Sequence, residues 1–373
     1  MEDMALTGAA NPSFWRHKRV LITGHMGFKG SWLTLWLHRL GATVTGISLP
    51  PTTEPNLYTE AKLEELCQSH FCDIREVAAL AELVNAARPD IVFHLAAQAL
   101  VRRSYDEPLT TFETNVMGTA YVLEALRGLD SVRAAVMITT DKVYRDNEPP
   151  LPYGEDAPLG GHDPYSASKA ACEIVIESYR DAFLSAHGVA LASARAGNVI
   201  GGGDWSKDRL IPDAIRAWQA GAILQVRRPQ AVRPWQHVLE PLSGYLILAQ
   251  KLCEGSAPAS AYNFGPKVDE AVAVRDFVEL ARAAYGGGEV NYGDGGEGPH
   301  ESAWLALETA KARTVLDVSP TWTTVQTVQR TIAWYRAYKD GADARQLCEI
   351  DISNFTKCAL NPIVADKTSA AIK

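Results

Sequence analysis

Short apolar runs alternate with segments of helical spacing through the first half of the chain. The runs Arg19-Val20-Leu21-Ile22-Thr23, Thr43–Ser48, Ser69-His70-Phe71-Cys72, Ile91-Val92-Phe93-His94, Ala134–Ile138 and 189–195 read as strands. Apolar runs of this length, with little polar alternation, suit strands covered on both faces. Between the first two, residues 31–40 place apolar side chains at helical spacing and stop at Gly41. The alternation from 19 to 195 predicts an α/β fold, a Rossmann-type doubly wound parallel sheet spanning 14–195. After about residue 196, Gly201-Gly202-Gly203, Pro212, Pro229, Pro234 and Pro241 crowd the chain. That shift predicts a smaller, loop-rich lobe over 196–355. Residues 359–373 read as a short, polar, alanine-rich tail expected to be mobile.

The first strand runs directly into Gly24-His25-Met26-Gly27-Phe28-Lys29-Gly30 and then the helix. Strand, glycine loop and helix let backbone N–H groups and a helix N-terminus hold a pyrophosphate. The spacing is G-x-x-G-x-x-G, and the second strand ends in Ser48-Leu49-Pro50-Pro51 with no acidic residue for a ribose. That end therefore does not choose between NAD and NADP. Asp73-Ile74 are candidates for the adenine. Leu95, Ala96, Ala97 and Gln98 follow the fourth strand, where small residues let a cofactor lie close to backbone.

A second constellation follows the fifth strand. Thr139-Thr140-Asp141-Lys142 should emerge at its carboxyl end, and Tyr165 and Lys169 stand at i and i+4 on a helix. An ammonium beside a phenol favours the phenolate, so a lowered Tyr165 pKa and a usable base are expected. Lys142 beside Asp141 carries the opposite tension, because the carboxylate raises the lysine's pKa. Along 165–187, Ala170, Ile174, Val175, Tyr179 and Phe183 leave only a narrow polar strip of Glu173, Glu177, Arg180 and Asp181. Such a wide apolar surface is expected to be buried on two sides.

Composition narrows the picture. At 373 residues the chain can bury a substantial core, and its formal charge of −8 argues against nucleic-acid binding and membrane-surface attraction. No apolar stretch reaches membrane-spanning length, and the N-terminus lacks a basic region followed by an apolar one. Six cysteines form no C-x-x-C pair or zinc spacing, so no metal and a reducing, cytoplasmic setting are expected.

G-x-x-G-x-x-G, H-L-A-A-Q at 94–98, T-N-V-x-G-T at 114–119 and Y-x-x-x-K occur together in order. With them the chain from about 14 to 355 resembles the extended short-chain dehydrogenase/reductase superfamily, in its nucleotide-sugar-modifying branch. Gly24 to Leu33, Thr140-Asp141-Lys142, residues 196–205 and Arg233-Pro234-Trp235-Gln236-His237-Val238 resemble the CDP-glucose 4,6-dehydratase family of that branch. The dTDP-glucose and GDP-mannose dehydratases usually carry Thr-Asp-Glu where this chain has Thr140-Asp141-Lys142.

The resemblance implies NAD held by Gly24, Gly27, Phe28, Lys29, Gly30, Asp73, Ile74, Leu95, Ala96, Ala97, Tyr165 and Lys169. It implies a catalytic set of Thr140, Asp141, Lys142, Tyr165 and Lys169, with Thr140 in the family's serine position. A nucleotide sugar would meet Gln98, Asn198, Arg209, Arg233, His237 and Asn263, Arg233 being the candidate diphosphate clamp. Part of 235–255 should return to the nucleotide domain, and a homodimer should form through helices near 108–127 and 165–187. The implied reaction is 4,6-dehydration of CDP-D-glucose within an internal hydride cycle. A 4-epimerase, a dehydratase of another nucleotide hexose and a non-catalytic NAD sensor are the alternatives.

Overall fold

The computed structural model describes residues 9–146, 151–295 and 304–361. Seven strands form one parallel sheet: β1 (Arg19–Thr23), β2 (Thr43–Ser48), β3 (Gln68–Phe71), β4 (Ile91–His94), β5 (Ala134–Ile138), β6 (Ala190–Ala196) and β7 (Ala261–Phe264). Their spatial order is β7-β6-β5-β4-β1-β2-β3. The order reverses between β1 and β4, so the ligand crevice of this topology opens at the carboxyl ends of those two strands. β4 and β5 are buried at every position, as strands covered on both faces must be.

Helix α1 (Phe28–Arg39) buries Trp32, Leu33, Leu35, Trp36 and Leu37 against one face of the sheet. On the other face lie α2 (Gly118–Leu126) and α3 (Pro164–Tyr179), whose Val122, Leu123, Cys172 and Ile176 pack with Met137 and Leu191. A π-helical turn at Glu113–Met117 precedes α2, and a second at Arg180–Leu184 follows α3. The helix expected over 165–187 therefore changes its hydrogen-bonding pattern after Tyr179.

Helix α4 (Leu239–Cys253) is apolar almost all round and packs on β5 and β6, and β7 then pairs with β6. The chain thus returns to the nucleotide domain over 239–264. The strand signal of Ala261-Tyr262-Asn263-Phe264, four residues interrupted by an asparagine, is too short to stand out in sequence. The C-terminal helix Ala344–Leu360 runs past the expected start of the tail, and residues from 362 on, like His300, lie outside the described set.

Candidate active site

The glycine loop turns where side chains cannot follow. Gly24 has φ +76°, and a Cβ there would meet the Ala96 backbone nitrogen at 2.7 Å. A Cβ on Gly30 would lie 2.1 Å from the Gly24 carbonyl oxygen. Gly27 caps α1 with no side-chain hydrogen bond, which leaves the first N–H groups of the helix to a ligand. His25 anchors the loop from behind: its ring lies against Gly46, where a Cβ would meet it at 2.2 Å, and its Nε2 is 2.8 Å from Ser69 Oγ. Leu95, Ala96 and Ala97 are half-buried at the end of β4, directly across from this loop. A dinucleotide pyrophosphate fits such a cradle, because backbone rather than side chain forms both walls.

Of the two residues expected at the adenine, Ile74 is buried against Gly118, and Asp73 accepts from the Arg75 guanidinium at 2.7 Å. That guanidinium, opposed by partial burial, holds the Asp73 carboxyl below its ordinary value. Phe28 packs near Gly201, and Lys29 sits half-buried in the first turn of α1. Burial first, then the Arg209 charge, pushes the Lys29 ammonium down to about 7, with Asp141 pulling the other way.

The polar residues after β5 do emerge at its carboxyl end. Thr140 caps a single 3-10 turn, Asp141–Val143; its hydroxyl donates to Asp141 Oδ1 at 3.0 Å and accepts from the Lys142 N–H at 3.4 Å. Lys142 Nζ lies 3.3 Å from the same Asp141 oxygen. Asp141 is fully buried, and its Oδ2 has no hydrogen-bond partner among the described residues. That oxygen faces Gly197, where a Cβ would approach it to 3.0 Å.

Tyr165 corrects one expectation. Burial drives its phenol up to about 12, and the neighbouring Thr140 hydroxyl opposes the rise without cancelling it. Lys169 does not set this balance, because its ammonium donates to the Ile138 carbonyl at 2.9 Å. Helical spacing puts the two residues on one face, but the strand end captures the amine. Asn115, in the π-helical turn, completes the frame: it exchanges hydrogen bonds with the Gln98 backbone at 2.8 and 3.0 Å and donates to Ser168 Oγ at 2.8 Å. Sequence offered a signal here, the T-N-V-x-G-T motif, but no role for its asparagine.

The expected substrate residues divide. Arg209 is near enough for its charge to lower the pKa of both Lys29 and Tyr165, and it lies 3.9 Å from Asp204. Arg233 is buried on a two-residue strand and donates to the Val232 carbonyl. Asn198 is half-buried, its carbonyl accepting from Gln236 N–H. Gln98, by contrast, uses its amide on Leu100 and Thr111. Asn263 uses both ends of its amide, accepting from Tyr144 Oη at 2.6 Å and donating to the Tyr153 and Glu308 carbonyls. His237 is wholly buried between Trp32 and Trp322, and burial lowers its pKa to about 3. The polar groups of Gln98 and Asn263 are used on internal partners, and His237 packs in the core. Trp205 and Trp235 also pack internally, on the Trp334–Tyr338 cluster and on Phe277.

Glu173 departs most from the polar strip expected of its helix. It is 5% exposed, and its carboxylate accepts from Thr139, Ser193 and Arg195. Burial raises its pKa, but the Arg195 guanidinium and the two hydroxyls outweigh that and hold it below the ordinary value.

The chain matches the NAD dependent epimerase/dehydratase family over residues 20–265. It is 44% identical over 349 residues to the CDP-glucose 4,6-dehydratase of Salmonella typhimurium, covering 92% of this chain and 97% of that one. Among solved structures, the dTDP-glucose 4,6-dehydratase of Bacillus anthracis in complex with NAD superposes with a TM-score of 0.73 at 21% identity. That match covers 87% of this chain and 99% of that one. The UDP-glucose 4-epimerase of Thermotoga maritima with UDP-glucose gives 0.74 at 21% identity, over 86% and 99%. Glycine cradle, Tyr165–Lys169 helix and these similarities agree: the chain belongs to the NAD dependent epimerase/dehydratase family of the extended short-chain dehydrogenase/reductase superfamily.

Proposed function

We propose that this protein is a CDP-glucose 4,6-dehydratase, a hydro-lyase converting CDP-D-glucose to CDP-4-dehydro-6-deoxy-D-glucose and water. The observation that carries dehydration over epimerisation is the Asp141–Lys142 pair, 3.3 Å apart in the turn that Thr140 caps. Epimerisation at C4 needs the tyrosine and cofactor but no acid–base pair for losing water. The near full-length similarity to the Salmonella enzyme supports CDP-glucose as the hexose donor.

NAD, when bound, supplies a reversible hydride acceptor for oxidation at C4 and reduction at C6. The protein's own groups handle the protons. Tyr165 Oη takes the proton of the 4-hydroxyl, and Thr140 Oγ1 holds that oxygen in place. Lys169, fixed on the Ile138 carbonyl, would hold the nicotinamide ribose with its remaining donors. Once C4 is a ketone, the C5 proton is acidic, and we assign its removal to Lys142 Nζ. The free, buried Oδ2 of Asp141 gives a proton to the departing 6-hydroxyl, so water leaves rather than hydroxide. One proton can pass from Lys142 to Asp141 across their short contact, which resets the pair; C5 takes a proton from solvent as C6 is reduced, and Tyr165 releases to solvent the one it took from the 4-hydroxyl.

We also infer a homodimer. Leu109 and Ile174 are 77% and 60% exposed, and Phe112 and Met117 are exposed beside them on the helices before α2 and on α3. A second copy would cover this apolar face. The six cysteines are free thiols and no helix among the described residues is long and apolar enough to cross a membrane, which supports a cytoplasmic setting. Incubation with a panel of nucleoside-diphosphate hexoses, followed by product mass, tests the reading. Loss of water from CDP-glucose is expected; an isobaric product would mark an epimerase, and no turnover a binding protein.

A further inference from the structure

We propose that Glu173 is a positioning residue for catalysis, one that sets the Tyr165–Lys169 face of α3 in register with the Thr140–Asp141–Lys142 turn. The geometry is specific. Glu173 lies one helical turn beyond Lys169 and two beyond Tyr165, on the same face of α3. One carboxylate oxygen accepts from the Thr139 hydroxyl, immediately before Thr140. The other accepts from Ser193 Oγ at 2.6 Å and Arg195 Nη2 at 2.9 Å, both on β6.

The network then reaches the far end of the same turn. Arg195 Nη1 donates to Tyr144 Oη at 2.8 Å, and Tyr144 Oη donates to Asn263 Oδ1 on β7. Residues 139 and 144 bracket the turn that carries Asp141 and Lys142, so each end is tied to one charge pair. Arg195 is 4% exposed, so water does not compete for these bonds. A buried ion pair is seldom the most stabilising choice, since apolar residues of similar volume often hold a fold as well or better. What the pair supplies instead is direction: several fixed hydrogen bonds converging on two catalytic segments from different elements.

The proposal rests on the dehydratase reading for its kinetic arm alone. Thr139→Val removes one hydroxyl from the network without touching a charge or a residue of the catalytic set, and Glu173→Gln removes the charge. For Thr139→Val we expect kcat to fall about tenfold and KM for CDP-glucose to stay within about twofold, because misplaced groups cost rate rather than binding. For Glu173→Gln the expected fall is about a hundredfold. Amide hydrogen exchange should rise in peptides covering 139–144 and 164–173, with no change across β1 and α1. If Glu173→Gln does not fold, Thr139→Val decides alone. Unchanged kcat together with unchanged exchange in Thr139→Val would overturn the proposal. So would a loss of protection spread over the whole protein, with kcat and dinucleotide binding falling together, which marks a merely structural role. Should the wild type fail to turn over CDP-glucose, the functional reading fails, while the exchange measurement still decides the positioning of the two segments.

Discussion

Lys169 Nζ is held 2.9 Å from the carbonyl oxygen of Ile138, the last residue of β5. This bond ties the catalytic helix to the strand that delivers Thr140, Asp141 and Lys142. The phenol of Tyr165 is buried beside Thr140, and burial pushes its pKa up to about 12. At that pKa the phenol of the ligand-free protein stays protonated near neutral pH.

Tyr165→Phe removes only the phenol oxygen. We expect turnover of CDP-glucose to fall by roughly 10²–10⁴-fold, the usual contribution of a positioned acid–base group. Calorimetry should find dinucleotide and nucleoside diphosphate binding nearly unchanged. Normal growth of reduced-cofactor absorbance on mixing with substrate would remove Tyr165 from the reaction.

Gly30→Ala places a Cβ on the Gly24 carbonyl, at 2.1 Å in the present backbone. The loop must shift by more than a side chain can absorb, at a cost of about 1–3 kcal/mol. If the cradle bears that cost, dinucleotide affinity drops by about ten- to a hundredfold while nucleoside diphosphate affinity holds. Equal loss of both, measured by calorimetry, would place Gly30 in general packing.

The sheet was legible because β1, β4 and β5 are continuous apolar runs bounded by glycine or polar turns, as strands buried on both faces must be. β7 was not, since Asn263 and its neighbours are chosen for a hydrogen-bond hub rather than for a strand pattern. The placing of Thr140, Asp141 and Lys142 at the carboxyl end of β5 was legible in the sequence, but spacing carries no information about what captures Lys169. Glu173 misled for a related reason: a charged residue reads as solvent-facing unless its counter-charge is known, and Arg195 lies 22 positions away on another element. Gln98 and Asn263 bear polar groups suited to a sugar, yet folding satisfies those groups internally.

His94 gives a pH signature. Burial, then the Lys169 charge, lowers its pKa to about 3, while its ring nitrogens contact Thr23 Oγ1 at 2.6 Å and Thr119 Oγ1 at 3.0 Å. An unfolded histidine binds its proton near pH 6.5, so the unfolded state holds more protons below that pH and stability falls as pH drops. Between pH 6.5 and 5 the wild type should lose about 1.6 kcal/mol relative to His94→Gln, whatever their offset at pH 7. Denaturation curves of both proteins at the two pH values check this; a constant difference would mean that His94 titrates in the folded protein.

Ile174→Glu puts a charge in the centre of the exposed apolar face on α3. Sedimentation should show the wild type as a dimer and the variant shifted to monomer at micromolar concentration, since an unpaired charge buried in an interface typically costs 2–5 kcal/mol. An unchanged dimer would move the interface elsewhere.

The most direct test of the central claim follows wild-type conversion of CDP-glucose in heavy water by mass spectrometry and proton NMR. Dehydration through Lys142 and Asp141 predicts a product lighter by one water that carries solvent deuterium at C5, while Lys142→Met forms no 6-deoxy product and exchanges nothing at C5. A product of unchanged composition, or a 6-deoxy product with its original C5 proton, would contradict the account.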